Sequence, residues 1–422
     1  MKKNVLVTGI GQSNYILQLY SKISPELIEY NFNTFNLKEF ENKDVKKNAE
    51  SVFKNNYQYQ PNLKNILIFL GAIPSVIFNN YFWKDLKICF AENGFNFIRV
   101  AFFLILRHIK AYYYAKYIDE NTNTDIIHLH FPKHIFALFF KYLKKEYTFI
   151  ITYWGSDIFR IDSWRDHEIQ NSILKNAHFI TSATQEMEFA ILTRYGFQLK
   201  NKIRYARFIH DNTYYEIASK LNMDPYWIPK FKTSLNINKD KIVILFGHNA
   251  HWENNHKSFL ESLNKLPNEV ASKYHIIFPL TYGDKTGVYI EELRKKVKFS
   301  HSTFTFLTDF LDWEDLAKLK IISNIYIHCP TTDGLSAFLT EFFYTNNLAI
   351  VGDWLPYKTF IDFNIKYLTF KNFNELENIL MNLDQRIIDY KELISSNRKM
   401  VSENFAIDKI SNQWVKIFKE LN

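Results

Sequence analysis

Two acidic residues between Asn324 and Tyr357 have a spacing that suits carbohydrate chemistry. Asp333 lies in a tight loop after an apolar run, and Glu341 follows inside an apolar helical pattern. A helix that starts after Gly334 would present unpaired N–H groups, which form an anion site. The N–H groups would bind a diphosphate, and the flanking carboxylates would accept hydrogen bonds from sugar and ribose hydroxyls. This arrangement indicates a sugar-nucleotide site. The alternative is an ordinary β–α–β unit with two solvated acids.

This Asp-x7-Glu pattern resembles the Glu-x7-Glu element of retaining GT-B glycosyltransferases, above all those of family 4. It departs from that element at Asp333, where the family usually has Glu. The resemblance implies a GT-B fold, in which two doubly wound, Rossmann-like α/β domains face each other across a cleft. It also implies that Glu341 binds the ribose and that Asp333 binds sugar hydroxyls, with retention of configuration. The diphosphate would lie on the loop amides of Gly334, Leu335 and Ser336.

A second polar loop follows the apolar run Ile242–Phe246 and reads GHNAHWENNHKSF. A strand that ends in Gly before a polar loop and a helix has the geometry of a phosphate-binding loop. The alternative is a polar loop without a ligand. The histidine spacing at 248, 251 and 256 is not that of a common zinc site, so no metal or other cofactor is predicted. The predicted donor-binding residues are Gly247, His248, Asn249, Lys257 and Tyr282.

The same region carries a second resemblance, over roughly 242–319. The segments GHNAHWENNH, HIIFPLTYGDKTGVYIEEL and LTDFLDWEDLAKL resemble the bacterial 4-acetamido-4,6-dideoxygalactose transferases of glycosyltransferase family 56. Those enzymes also have the GT-B fold and act on a polyprenyl-linked intermediate at the inner face of the membrane. At Asp333 and Glu341 the chain is closer to family 4, so the donor sugar and the stereochemistry stay open.

Strand ends in the first half of the chain carry residues suited to acceptor binding. The segment YWGSD at 153–157 resembles a strand-end segment that family 4 enzymes place at the cleft, and His130 matches a position near the donor sugar. Either His130 or Asp157 could take a hydroxyl proton in an inverting enzyme. Each is also common as a buried core histidine or a helix cap. The other predicted acceptor-side residues are Gly11, Gln12, Trp154, Gly155 and Ser156.

Several common motifs are incomplete or absent. Gly9-Ile10-Gly11 is half of a dinucleotide-binding fingerprint without the third Gly or a downstream acid, and we interpret it as a loop near the cleft. No Asp-x-Asp triplet follows a strand, which argues against the metal-dependent GT-A fold. Neither a GxxxxGK[ST] phosphate loop nor a GxSxG elbow is present.

The apolar pattern indicates two α/β domains, as expected for 422 residues. Strands alternate with helices in each half, which predicts parallel sheets. The predicted domains are an acceptor domain at 1–220, a nucleotide-sugar domain at 237–402, and a helix at 403–422 that returns to the first domain. The predicted strands are 5–8, 125–130, 147–153, 179–182, 242–246, 274–279, 304–307, 324–328 and 348–351.

Positive charge is concentrated in the first half of the chain. The formal net charge is +8, and residues 51–116 contain eight basic and two acidic residues beside apolar runs at 66–78 and 100–106. Both runs are shorter than the roughly 20 residues that span a bilayer. We therefore predict that 61–116 contacts an anionic membrane face. The alternative is a buried helical hairpin with solvated lysines. No nucleic-acid reader motif is present.

The remaining features indicate a cytoplasmic protein. Cys89 and Cys329 lie far apart among apolar residues, which fits buried thiols in a reducing compartment. The chain starts in a strand-like run without a signal-peptide pattern. Together with the resemblances, this implies a hexosyltransferase at the inner membrane that moves a sugar from a nucleoside diphosphate sugar to a lipid-linked bacterial surface glycan, such as lipopolysaccharide. The alternatives are a sugar-nucleotide 2-epimerase on the same fold and a non-catalytic, membrane-associated binding protein.

Overall fold

The computed structural model describes residues 2–9, 14–36, 49–94, 97–161, 163–208 and 212–421. The chain divides into two compact units. The first unit comprises Met1–Ile209 with Asp408–Asn422, and the second comprises His210–Ile407. The boundary therefore precedes the predicted one at 220, because the helix Asn212–Met223 packs within the second unit.

The first unit is built on a seven-stranded sheet in the order β3-β2-β1-β4-β5-β6-β7. All strand pairs in it are parallel. The order reverses beside β1, and open α/β sheets bind ligands at the carboxyl ends of strands beside such a switch point. The strands are β1 (Lys3–Thr8), β2 (Tyr30–Asn36), β3 (Asn55–Gln58), β4 (Ile126–His130), β5 (Thr148–Thr152), β6 (Phe179–Ser182) and β7 (Ile203–Tyr205).

Helices connect these parallel strands, as parallel pairing requires. Strand β4 reads IIHLH and is buried along its whole length, which fits a strand that is covered on both faces. The helices are α1 (Asn14–Ile23), α2 (Ile66–Ile77), α3 (Asn80–Asn93), α4 (Phe97–Asn121), α5 (His134–Ala137), α6 (Ser156–Phe159), α7 (Trp164–Leu174) and α8 (Gln185–Tyr195), with 3-10 turns at Leu138–Lys141 and Phe197–Lys202.

Helices α2, α3 and α4 occupy the segment predicted to contact a membrane. Asn65 caps α2 and Asn79 caps α3, each by accepting a backbone N–H. Among the described residues, no single helix is both long and apolar enough to cross a membrane. Helices α2 and α3 meet the length and composition criteria only as a pair, and they are bent by 91° at the break between them.

The second unit contains a six-stranded sheet in the order β10-β9-β8-β11-β12-β13, again with parallel pairs. Its order reverses beside β8, so the carboxyl ends of β8 and β11 form the second switch point. The strands are β8 (Ile242–Phe246), β9 (Tyr274–Pro279), β10 (Thr303–Leu307), β11 (Ile325–His328), β12 (Leu348–Gly352) and β13 (Leu368–Phe370).

The helices of the second unit cover a core that includes Phe246, Phe259 and Phe278. Helix α9 and helix α10 pack against α14. The helices are α9 (Asn212–Met223), α10 (Ile228–Ser234), α11 (His256–Asn264), α12 (Asn268–Ala271), α13 (Val288–Lys296), α14 (Trp313–Ile322), α15 (Ala337–Phe343), α16 (Lys358–Asp362), α17 (Phe373–Met381), α18 (Leu383–Tyr390) and α19 (Asn397–Asn404).

The last helix, α20 (Ile407–Lys419), packs on the first unit. The Tyr30 hydroxyl donates to the Phe418 carbonyl at 2.6 Å. The Trp414 indole donates to the Arg207 carbonyl at 2.8 Å. The chain therefore enters the second unit once and ends on the first.

Both cysteines, Cys89 and Cys329, are buried free thiols.

Candidate functional site

The carboxyl end of β11 places Asp333 in a cluster of hydrogen bonds. Its Oδ2 accepts from the Tyr357 hydroxyl at 2.7 Å and lies 3.2 Å from Nε2 of His328. Its Oδ1 accepts from the backbone N–H of Gly334 at 2.7 Å. We call His328, Asp333 and Tyr357 the acid cluster. The predicted strand, loop and acid are therefore present, and two further side chains hold the carboxylate.

Proton positions in the acid cluster follow from its contacts. Nε2 of His328 lies 2.8 Å from the Tyr357 hydroxyl, and Nδ1 lies 2.8 Å from the Tyr326 hydroxyl. Because Tyr357 gives its only hydroxyl proton to Asp333, the Nε2–H of His328 is shared between the Tyr357 oxygen and Oδ2 of Asp333. Nδ1 then accepts from Tyr326. Each donor meets an acceptor, which fixes the orientation of the carboxylate.

The acid cluster keeps Asp333 ionised at neutral pH. Burial alone would raise the pKa of this carboxyl, but the hydrogen bonds from His328 and Tyr357 and the electrostatic influence of the His328 and His248 side chains lower the pKa to about 2. The Asp333 side chain is 24 % exposed, whereas the His328 side chain is fully buried. A charged carboxylate that is oriented and partly exposed is suited to accept hydrogen bonds from sugar hydroxyls.

Two hydrogen bonds attach the loop after β8 to the loop after β11. The Asn255 side chain donates to the Cys329 carbonyl at 2.7 Å. The backbone N–H of Thr331 donates to the Glu253 carbonyl at 2.8 Å. Asn255 has a left-handed backbone with φ of 61°, a conformation that Asn tolerates better than most residues. The two loops that the sequence singled out therefore lie side by side at the switch point.

His248 lies beside the acid cluster. Its ring centroid is 5.7 Å from that of His328 and 6.1 Å from that of Phe338. The preceding Gly247 has φ of 67°, and a Cβ there would lie 2.8 Å from Nε2 of His256. Gly is thus required where the chain turns toward Asp333. The structure brings two of the predicted donor-binding residues, Gly247 and His248, next to the predicted acid.

Asn249 organises the β8 loop from within. Its Oδ1 accepts from the backbone N–H of His251 at 2.8 Å and from the Asn254 amide at 2.7 Å. Its own amide donates to the Tyr282 hydroxyl at 3.3 Å. Asn249 is buried, whereas Tyr282 is 58 % exposed. Of these two predicted residues, only Tyr282 is accessible to a ligand, and Asn249 positions the Tyr282 hydroxyl through the hydrogen bond.

Glu341 forms a buried ion pair. Its carboxylate accepts from the Nζ of Lys320 on α14, and both residues are buried. The Lys320 Nζ also lies 3.9 Å from the ring centroid of Phe338 and 4.7 Å from that of Tyr214. Burial lowers the pKa of Lys320, and the charge and hydrogen bond of Glu341 oppose this lowering. One carboxylate oxygen of Glu341 is therefore already committed to Lys320.

Other predicted donor-binding residues make contacts that differ from those expected. Lys257 is a predicted donor-binding residue, but its Nζ pairs with Glu292 at 2.5 Å. Ser336 caps α15, because its hydroxyl accepts from the backbone N–H of Leu339 at 3.2 Å. The Gly334 N–H bonds Asp333 rather than pointing to a ligand, and Leu335 is buried.

In the first unit, Asp157 stabilises a turn. Its Oδ1 accepts from the backbone N–H groups of Trp154 and Gly155, each at 2.9 Å. Burial raises the pKa of Asp157 to about 6, although these backbone hydrogen bonds act in the opposite direction. Gly155 has φ of 112°, and Ser156 begins α6. Asp157 is not the cap of α6, because Gly155 occupies that position and Asp157 lies within the helix. Its buried carboxylate instead stabilises the preceding turn, and its role as an acceptor base stays a prediction.

His130 is fully buried at the end of β4. Its Nδ1 accepts from the Trp154 indole at 3.2 Å, and its ring stacks on that of His128 with 4.2 Å between centroids. Burial, and secondarily His128, hold the pKa of His130 well below its usual value, so the ring is neutral. Trp154 itself stacks on Phe208 at 4.2 Å. His130 therefore also fits its structural alternative, a buried core histidine, rather than a base. Gly11 and Gln12 lie outside the described residues.

Sequence reasoning missed His328, Tyr357 and Lys320. His328 did leave a signal, since it is an ionisable residue at the end of the apolar strand IYIH. Tyr357 and Lys320 left none, because nothing in their local sequence distinguishes them from ordinary loop and helix residues. Their roles arise only when β12 and α14 pack beside the β11 loop.

A separate buried cluster lies in the first unit. Among the described residues, the one group of three ligand-type side chains that are close enough to hold a metal is Asp85, His108 and His134. Arg165 places its Nε 3.0 Å from Asp85. The Tyr142 hydroxyl lies 2.6 Å from Nδ1 of His108. A guanidinium at this distance disfavours a bound cation, so these contacts are better suited to tie α3, α4, α5 and α7 together.

No protein-family model and no curated protein matches the chain. Its structure is similar to that of HepE from Anabaena in complex with UDP and glucose, with 12 % identity and a TM-score of 0.65 over 99 % of this chain and 100 % of that chain. A glycosyltransferase from Rickettsia africae has 14 % identity and a TM-score of 0.66, over 99 % and 98 %. Sucrose-phosphate synthase from Thermosynechococcus elongatus has 13 % identity and a TM-score of 0.63, over 100 % and 99 %.

These similarities show the fold. The chain has two parallel-sheet α/β domains of the kind found in GT-B glycosyltransferases, as the sequence predicted. We therefore refer to the two units as the first and second domains. At such low sequence identities the structural similarity supports the fold and not a shared activity or substrate.

Proposed function

We propose that this protein is a glycosyltransferase that moves a sugar from a nucleoside diphosphate sugar to a hydroxyl acceptor. The observation that carries the proposal is the acid cluster, with its ionised carboxylate held beside the β8 loop at the switch point of the second domain. Proteins of the same fold have been solved with UDP and with UDP-glucose. Uridine diphosphate and its sugars are therefore the first nucleotides to test.

The proposed roles follow from exposure and charge. Asp333 binds sugar hydroxyls, because its carboxylate is ionised, oriented and partly exposed. Glu341 binds ribose hydroxyls through the oxygen that Lys320 does not occupy. The diphosphate lies at the start of α15, where the first N–H groups lack intrahelical acceptors, and His248 borders this position.

Transfer breaks the bond between the anomeric carbon and the diphosphate oxygen and forms a bond from that carbon to the acceptor oxygen. The acceptor hydroxyl proton passes to the leaving diphosphate. Positive charge develops on the sugar ring and negative charge on the leaving diphosphate. Oriented N–H groups at a fixed site stabilise such charge without the need to reorganise. We propose that the reaction retains configuration and needs no resident metal, as the family 4 pattern around Asp333 implies.

We further propose a lipid-linked bacterial glycan as the acceptor, as the family 56 resemblance implies. Its support is the surface of the first domain at 61–116. Phe78 is 85 % exposed and Ile98 is 82 % exposed, and the same segment exposes the basic residues Arg99 and Lys110. Apolar side chains that protrude between cations suit an anionic membrane face. Peripheral attachment to the inner membrane from the cytoplasm is part of the same proposal.

A thermal-unfolding screen tests the donor class. The full-length protein is heated with nucleoside diphosphates and their sugars, with and without magnesium. A ligand at about 100 times its Kd adds about 2.7 kcal/mol to the free energy of unfolding, which is readily measured. We expect stabilisation by one nucleotide family without magnesium. A folded sample that no nucleotide stabilises would leave only the non-catalytic alternative.

Glu341→Gln tests the ribose assignment. We expect weaker binding of the nucleoside diphosphate itself, because the ribose is common to the nucleotide and the sugar nucleotide. The change also disturbs a buried ion pair, so the free energy of unfolding must be measured in parallel. The double variant Lys320→Met with Glu341→Leu is the control, since it removes both charges together. Normal nucleotide affinity in a folded Glu341→Gln protein would refute the assignment.

A further inference from the structure

A cavity of about 710 Å³ lies within the first domain. This volume falls in the range of about 300–1,000 Å³ that is typical of ligand pockets. One wall is a single face of α4, because its residues recur at helical spacing. They are Phe103, Leu106, Arg107, Lys110, Ala111 and Tyr114. The chain after β4 forms another wall, with His134, Ile135, Phe136, Leu138 and Phe139.

The lining combines an apolar interior with cations at its exposed edge. Ala111, Leu138 and Phe139 are buried, whereas Arg107 and Lys110 are exposed. Partial burial and the charge of Arg165 lower the pKa of Arg107. Within the described part of the chain, neither Arg107 nor Lys110 forms an ion pair with a carboxylate. The edge therefore has two cations without a direct ion pair, although Asp85 and Asp166 act on Arg107 from a distance, and these cations complement an anion.

His134 adds a polar atom that lacks a partner. Its side chain is 5 % exposed, and its Nε2 lies 2.6 Å from Oδ2 of Asp85. Its Nδ1 is buried, and no residue that the structure describes forms a hydrogen bond with it. Native proteins leave few buried polar atoms unpaired, and such an atom beside a cavity indicates a ligand or an ordered water.

An exposed apolar residue lines this cavity, and others lie on α4 and in the α2 and α3 region, whose helices pack against α4. Phe103 lines it and is itself 51 % exposed, and the neighbouring Phe102 is 55 % exposed. Leu67 and Phe78 of the α2 region and Phe90 of α3 are exposed as well. A small soluble metabolite would gain nothing from such a surface. A ligand that arrives from a lipid bilayer would cross it to reach the cavity.

We propose that this cavity binds the hydrocarbon chain of a lipid phosphate, with the phosphate at Arg107 and Lys110. The occupant is the lipid end of the acceptor, an identification that rests on the proposed function. The chain fills the apolar interior between α4 and the segment after β4. The phosphate neutralises the two cations, and Nδ1 of His134, whose Nε2–H faces Asp85, accepts a hydrogen bond from a protonated oxygen of the head group. A membrane-bound acceptor is thereby held by the first domain before transfer.

Calorimetric titration of the full-length protein with farnesyl phosphate tests the proposal. Farnesol and inorganic phosphate are titrated separately, so that the contributions of the hydrocarbon chain and of the phosphate charge to the affinity are distinguished. We expect farnesyl phosphate to bind at one site and roughly tenfold or more tighter than farnesol, because the charged contacts add to the apolar ones. Binding of farnesyl phosphate no tighter than that of inorganic phosphate would overturn the proposal.

Substitutions locate the site. Ala111→Phe fills the interior and should weaken farnesyl phosphate and farnesol alike, by roughly tenfold or more. Arg107→Gln with Lys110→Gln should abolish the preference for farnesyl phosphate over farnesol. The matched control is Arg99→Gln with Lys116→Gln, which removes the same charge from exposed positions of α4 outside the cavity. Equal losses in the control and the test variant would overturn the assignment of the cations.

Two further measurements keep the outcome decisive. If Ala111→Phe does not fold, a photoreactive farnesyl phosphate should label peptides from 103–114 or 134–139 of the wild-type protein, and labelling elsewhere would refute the site. Nucleotide binding to the same preparation is measured in parallel. Nucleotide binding without lipid binding refutes this inference alone. Lipid binding without nucleotide binding supports the cavity and refutes the proposed transferase function.

Discussion

The two domains each place a histidine, an aspartate and a bulky aromatic side chain at strand ends, yet the two groups differ in what they can do. In the second domain, Asp333 accepts hydrogen bonds from a tyrosine and a histidine and is partly exposed. In the first, Asp157 accepts backbone N–H groups of its own turn and is buried. Asp333 thus keeps exposed carboxylate surface that the proposed donor could contact, whereas Asp157 stabilises its own turn.

The electrostatics of the two aspartates differ in the same sense. Burial dominates at Asp157 and raises its pKa to about 6. At Asp333 the neighbouring side chains outweigh burial and lower the pKa to about 2. Residue type and position at a strand end are thus insufficient to identify a functional acid. The partners of the carboxylate and its exposure decide between a site and a structural turn.

The largest expected effect is on transfer. Asp333→Asn keeps the size of the side chain and removes its charge, and we expect turnover to fall by about 10²–10³-fold, the range for loss of one preorganised electrostatic contact. The matched control is Asp157→Asn, which should change turnover little once folded protein is quantified. Rates of transfer from the sugar nucleotide measure both. Equal losses in the two variants would remove the distinction between them.

The next effect concerns stability and pH. The pKa of Asp157 is about 6 in the folded protein, against about 3.9 in an unfolded chain. A raised carboxyl pKa stabilises the fold below about pH 4, and this stability is lost as the pH rises through 6. The loss amounts to about 3 kcal/mol. Asp333 has the opposite sign, because its stabilising effect is present above about pH 4 and is lost as the pH falls through 2.

Urea unfolding between pH 4 and pH 7 checks this difference. Between pH 4 and pH 7 the free energy of unfolding of Asp157→Asn should rise by about 3 kcal/mol relative to that of the wild type, because the variant lacks the loss at Asp157. Asp333→Asn should leave the slope as in the wild type, because Asp333 is ionised throughout it. A wild-type slope in Asp157→Asn would contradict the buried, raised-pKa description.

A smaller effect is expected for Tyr357→Phe, which removes the hydroxyl that orients Asp333. Loss of a hydrogen bond to a charged group costs about 1.5–3 kcal/mol when the contact is fully used, and water replaces part of it at a partly exposed carboxylate. We expect affinity for the sugar nucleotide to fall by about tenfold. Affinity for the nucleoside diphosphate should not change, because Tyr357 acts only through Asp333. Equal weakening of both ligands would place Tyr357 at the nucleotide instead.

The smallest effect belongs to the first domain. Trp154→Phe removes the indole donor to His130 but keeps a ring to stack on Phe208. We expect a loss of about 1 kcal/mol in the free energy of unfolding, typical of one neutral hydrogen bond. Sugar-nucleotide affinity should be unchanged. A large loss of turnover at normal stability would instead support a role for Trp154 and His130 in acceptor binding.

The sequence predicted the architecture well where apolar runs were distinct. All the predicted strands are present, from β1 to β12, with ends that differ by at most two residues. The structure adds β2, whose sequence YNFNTFN contains three Asn, a residue that is depleted in strands. It also adds β3, β7 and β13, which have four, three and three residues and are too short to show a period.

The candidate site was predictable only in part. Asp333 was predicted from the Asp-x7-Glu pattern, and Gly247 and His248 from a strand that ends in Gly before a polar loop and a helix. The partner of Glu341 was not, because Lys320 comes from a different helix and its contact depends on tertiary packing. His130 and Asp157 had two interpretations each, and their burial, which a single sequence does not contain, favoured the structural one.

The most direct test of the central claim is calorimetric titration of wild type, Asp333→Asn and Asp157→Asn with a sugar nucleotide and with the matching nucleoside diphosphate. We predict that Asp333→Asn weakens the sugar nucleotide selectively and that Asp157→Asn binds both ligands as the wild type does. No binding of any sugar nucleotide by the folded wild type would contradict the account. So would a selective loss in Asp157→Asn.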